Sequence, residues 1–163
     1  MMDNLIRLAL SNFGVSMLIL AFILASVNRL INKDLSIYEI LYRWVTLLAL
    51  GMTAIYAFIL HAYFPAFTAE TIGWLNSPFQ YEVAVANLAI GVMAILSVHK
   101  SYQFRLATVI GSTVWLWGCA FGHARQLIEN HNDAIGNAGS WFYMDMLIPV
   151  LLLFYMVMLR KKN

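Results

Sequence analysis

Five long apolar stretches, at about 5–27, 40–64, 79–98, 104–126 and 141–159, alternate with short polar segments along this chain. Each approaches the roughly 20 apolar residues that a helix needs to cross a hydrocarbon core of about 30 Å. NRLINKDLS (28–36) separates the first two, and PAFTAETIGWLNS (65–77) the second and third. Pro65 opens that second segment and disfavours helix in the residue before it, so the second stretch ends at Phe64. Trp74 suits a membrane interface. HKSYQ (99–103) reads as a tight turn, and LIENHNDAIGNAGS (127–140) as the long polar loop. No period-2 alternation, internal repeat or linker interrupts this pattern. The expected fold is therefore all-α: an integral membrane bundle of five transmembrane helices forming a single transmembrane domain over 1–163.

Composition agrees. The chain is 62% hydrophobic and 11% charged, with a mean hydropathy of +0.74, whereas soluble domains are about 45–50% apolar and about 25% charged. The lipid bilayer is thus the first expected partner, and a net charge of +2 is too small to point to nucleic acid. The lone Cys119 excludes an internal disulfide. The first stretch sets Asp3 against Arg7 and is followed by no A-x-A site, so it reads as an uncleaved span rather than a signal peptide.

The placing of the cations says more than their number. Of ten Lys and Arg residues, eight (Arg29, Lys33, Arg43, Lys100, Arg105, Arg160, Lys161 and Lys162) fall on one face of a five-span bundle, leaving Arg7 and Arg125 on the other. By the positive-inside tendency the C-terminus is cytoplasmic and the N-terminus outside, in the inner membrane of a bacterial host.

Four ionisable side chains then come to the outer ends of consecutive spans at similar depth: His61, Glu82, His123 and Asp145. Charged groups inside spans cost roughly 2.5–3.5 kcal/mol each on insertion scales and usually face the bundle interior with partners. Ser77-Pro78-Phe79-Gln80 reads as an N-cap serine, a first-turn proline and a capping-box glutamine, with Glu82 five residues after the serine. Ser140 stands in the same relation to Asp145, and both carboxylates would sit near a helix N-terminus, where the dipole favours an anion. Pro149 removes the hydrogen bond that the carbonyl of Asp145 would otherwise accept.

Two histidines and two carboxylates make a first shell for a divalent metal such as zinc, iron or manganese. They form no H-E-x-x-H or E-x-x-H pair, each coming from a different helix. Cys119 shares a face with His123 and could extend the set. Without a metal, Glu82 and Asp145 would serve as acid and base beside the histidines, suiting isomerisation or hydrolysis of a lipid-like substrate, or proton movement. Against this chemistry stand two plainer readings, side chains reaching the headgroups and a polar network that locks helices. Asn87 is expected to hydrogen-bond across helices, His131 and Asp133 to be solvated in the loop, and His99 to lie in the opposite turn. GCAFG (118–122), with Gly111 and Trp115 on much the same face, reads as a surface for close helix packing.

The runs SPFQYEVAVANLAIG, FGHARQLIENHNDAIGNAG and YMDMLIP resemble a family of small bacterial multi-pass membrane proteins grouped as a domain of unknown function. The resemblance covers roughly 40–159 and rests on Glu82, Asn87, Gly122, His123, His131, Asn137 and Asp145. It implies a multi-pass membrane protein and brings no activity with it. The functional expectation is a metal- or proton-dependent membrane enzyme or a metal-handling protein with a pocket open to the outside. The rival is a non-catalytic subunit that stabilises or regulates a larger membrane complex, and a homo-oligomer is the other assembly open to it.

Overall fold

The structure is a computed structural model that describes residues 8–160; Arg7, Lys161, Lys162 and the first residues of the first apolar stretch lie outside it. The described residues are helical, with no strand, and five helices are long and apolar enough to cross a membrane. In chain order the elements are α1 (Phe13–Ile31), α2 (Ile37–Tyr63), α3 (Pro65–Ile72), α4 (Phe79–Ser97), α5 (Tyr102–Asn130), α6 (Ile135–Ala138) and α7 (Ser140–Arg160).

Boundaries differ from the sequence reading where polar side chains extend a helix. α1 runs on to Ile31 because Asn32 bonds back to Asn28 and Arg29 Nη1 donates to the carbonyls of Lys33 (2.8 Å) and Leu35 (2.7 Å). α5 continues to Asn130, its last turn carrying the exposed Arg125–Glu129 pair. The two polar segments at that end are also partly helical. Pro65 occupies the first position of α3, where its missing N–H costs nothing.

The helices form two closely packed pairs, α2 with α4 and α5 with α7, while α1 lies mainly along α2. Between the pairs contact is sparser, α4 touching α5 much less than α2. α2 is not uniform: Val45–Met52 winds with π-helical i→i+5 bonding, a form that recurs beside functional sites. The main core sits toward the basic end, where Tyr42, Val45, Leu50, Val109, Leu152 and Met156 interlock.

The opposite end is closed by its own connections. Asn132 Nδ2 donates to Ile72 O at 2.9 Å, tying the 131–134 loop to the end of α3. Gly136 packs so close to α3 that a Cβ there would lie 2.7 Å from Thr71 O, so only glycine allows α6 to dock.

Candidate functional site

A cavity of about 780 Å³ runs from the middle of the bundle to the end opposite the basic residues. Ala49, Leu50 and Ala57 of α2, Val83 and Ile90 of α4, Val114 and Leu116 of α5, and Ile148 of α7 make its apolar wall. Phe67 and Ile72 of α3 roof it, and Trp74, Trp115 and Trp141 line it with aromatic surface. Its size and apolar lining are those of small-molecule sites.

The α5 wall explains why the space is open. Gly111, Gly118 and Gly122 line the cavity, and a Cβ built on any of them would meet nothing within 4 Å. Among the described residues no helix packs against the glycines of GCAFG, so the close packing expected of this motif does not occur within the protomer. Close approach occurs instead between α2 and α4, where a Cβ on Gly91 would lie 2.8 Å from Ile55 Cδ1 and 3.2 Å from Gly51 O.

Three of the four expected side chains line this one cavity: His61, His123 and Asp145. Glu82 does not join them; it is exposed on the outer face of α4. Helical phase is the reason. The inward positions of α4 are Gln80, Ala84, Asn87, Gly91 and Ala94, and at about 100° per residue Glu82 stands roughly 200° from Gln80. In the first turn of α4, its charge keeps the favourable end of the helix dipole.

Each histidine is held by an amide. His123 Nδ1 lies 2.8 Å from Asn137 Oδ1, and Asn137 Nδ2 donates to His123 O (3.2 Å) and Asn132 O (2.8 Å). Because the amide N–H groups go to those carbonyls, Oδ1 must accept, so His123 carries its proton on Nδ1 and leaves Nε2 bare. Asn137 itself is 1% exposed, and Trp74 leans on the imidazole with ring centroids 5.5 Å apart. His61 Nδ1 makes a short bond to Gln80 Oε1. This replaces the expected capping box: α4 has no side-chain cap, and Gln80 turns inward to the histidine. A second cavity of about 370 Å³ lies beyond His61 and Gln80, and both residues line both spaces, so their bond forms the partition.

Asp145 differs from both. Half-buried on α7 and lining the cavity, its carboxyl has no hydrogen bond or ion pair among the described residues. Pro149, one turn on, lacks the N–H that would bond the carbonyl of Asp145. Cys119 lies on the same wall as His123, within electrostatic reach of Asp145. Asn87 bonds Val83 O of its own helix at 2.9 Å rather than a neighbour, correcting the cross-helix expectation. Among the described residues no three His, Cys, Asp or Glu side chains stand together as a group able to hold a metal ion.

A second polar cluster, absent from the sequence reading, occupies the basic end. Glu39 of α2 takes a bidentate pair from Arg105 of α5 (2.7 and 2.9 Å) and a third bond from Arg43 (2.6 Å). Arg105 also donates to Val98 O at 2.9 Å and lies over the Tyr42 ring, 4.8 Å from its centroid. Ser97 Oγ donates to Ala94 O, so the Tyr42 hydroxyl is the donor in its 3.1 Å bond to Ser97. A carboxylate, Glu39, and a guanidinium, Arg105, near the basic ends of their two spans were the available signal.

No curated protein and no solved structure matches this chain. The model of a family of unknown function, DUF6790, matches residues 11–163, and the protein belongs to that family.

Proposed function

We propose that this protein binds a lipid-like molecule in the cavity and acts on it by proton exchange, as a proton-dependent membrane enzyme in which Asp145 gives or takes the proton. One observation carries the reading: a carboxyl group stands in a largely apolar cavity with no hydrogen bond or ion pair among the described residues. An ionisable group within a span is costly and ordinarily paired, so an unpaired one facing an open space is there for what enters that space. His123 and His61, their Nδ1 atoms engaged, each offer Nε2 as a second proton acceptor. Isomerisation or hydrolysis are the reaction classes that such acid–base groups serve. The geometry lends the metal-handling version no support.

On the distribution of basic residues we read the basic end as cytoplasmic, which puts the cavity in the outer half of a bacterial inner membrane. A reporter fused after Asn132 is then active outside, and one fused at the C-terminus is active inside.

The test of function uses the intact protein in lipid nanodiscs incubated with a membrane lipid extract, read by mass spectrometry. The parent protein should convert a lipid species that Asp145→Asn leaves unchanged. If both leave every species unchanged, the non-catalytic subunit replaces the enzyme as the reading.

A further inference from the structure

We infer that the polar end of the cavity's ligand is a protonated amine, so that the molecule recognised is an amphiphilic cation with a long apolar body. The inference rests on the cavity's being a site for a lipid-like molecule, as proposed above, and adds the chemistry of the headgroup.

Asp145 is the carboxylate of the cavity, and no Lys or Arg lines it. The two arginines of α5 are engaged elsewhere, Arg105 with Glu39 at the far end of the bundle and Arg125 with Glu129 on the surface. A ligand with a carboxylate or phosphate head would meet one fixed acid and no fixed base. A ligand cation supplies the partner that the protein withholds, and a charge-assisted N–H···O bond is about twice as strong as a neutral one.

The hydrogen-bonding inventory points the same way. His123 Nδ1 is committed to Asn137, and His61 Nδ1 to Gln80. Both rings therefore keep Nε2 as an acceptor. The lining threonines spend their hydroxyl protons on backbone carbonyls: Thr53 on Leu48, Thr68 on Leu60 and Phe64, Thr71 on Phe67. The neutral donors that remain, the indole and amide N–H groups, the Ser77 hydroxyl and the Cys119 thiol, carry no charge to offset a carboxylate. A headgroup rich in N–H donors is what this surface lacks. Trp115 and Trp141 add ring faces to the wall, and such faces attract cations.

The experiment uses three bromine-tipped probes of equal chain length, undecylamine, undecanol and undecanoate, added to the protein in nanodiscs of zwitterionic lipid. Bromine quenches tryptophan fluorescence, and three tryptophans line the cavity. In the parent protein the amine should reach half-quenching at about tenfold lower concentration than the alcohol, the expected worth of one charge-assisted bond. The carboxylate should be the weakest of the three. Asp145→Asn, with Asp145→Ser as a second neutral variant, should bring the amine level with the alcohol. Gly118→Leu, which fills open space, should weaken all three. If the amine has no advantage over the alcohol in the parent, or keeps it in both Asp145 variants, the inference is overturned while the cavity reading survives. If no probe distinguishes the parent from Gly118→Leu, the cavity is not a lipid site and both readings fall.

Discussion

The two carboxylates that α2 and α7 carry into the bundle meet opposite fates. Glu39 is surrounded: two arginines take both its oxygens, and Arg105 in turn holds Val98 O and covers Tyr42. Asp145 lines a cavity of about 780 Å³ and makes no hydrogen bond or ion pair among the described residues. The surroundings follow the same division. The basic half is solid, with Tyr42, Val45 and Leu50 fully packed, while the other half is hollow along the glycine face of α5. A hydrogen-bonded ion pair fixes how helices meet. A half-buried acid with no hydrogen bond or ion pair among the described residues ties no helices together, and on the proposed function it serves what enters the cavity.

Breaking the solid end should cost the most. Arg105→Met leaves Glu39 with Arg43 alone and removes the bond to Val98 O, so stability should fall by about 3 kcal/mol, as when one member of a buried pair is deleted. Steric trapping in bicelles would measure it. Gly91→Val should cost about 2 kcal/mol, because its side chain must displace Ile55 at the α2–α4 contact. Tyr42→Phe removes the hydroxyl that donates to Ser97 and should cost about 1 kcal/mol by the same measurement. At the hollow end the sign reverses. Gly118→Ala meets nothing within 4 Å and should stabilise by about 0.5 kcal/mol through helix propensity alone. A loss of stability there would mean that another surface closes on α5.

Helix count and span positions were legible because apolar runs of membrane length leave few alternatives. The ends drifted by a few residues where Arg29, Asn32 and the Arg125–Glu129 pair extend helices past their apolar runs. The candidate site was legible in depth but not in direction. Counting from helix ends brought His61, Glu82, His123 and Asp145 to one level, yet only the first, third and fourth share the inward phase of their helices. Asp145 is three residues from Ile148 and seven from Leu152, both buried, whereas Glu82 is out of step with Gln80 and Asn87. That distinction was available from the spacing. The open face of α5 was not: Gly111, Gly118 and Gly122 spell a packing motif, and only the tertiary arrangement shows that no helix fills it. The π-helical turn of α2 likewise leaves no mark in a run of apolar residues.

The most direct measurement compares Glu39→Gln with Asp145→Asn, the same loss of charge at the two ends, by unfolding free energy in a detergent free of amines. Glu39→Gln should lose about 2 kcal/mol or more, since it weakens bonds to two arginines. Asp145→Asn should match the parent within about 0.5 kcal/mol, since among the described residues its carboxyl makes no hydrogen bond or ion pair that the change would break. An Asp145→Asn protein as destabilised as Glu39→Gln would contradict the account, because it would make Asp145 a partnered structural group and leave the cavity without its reason.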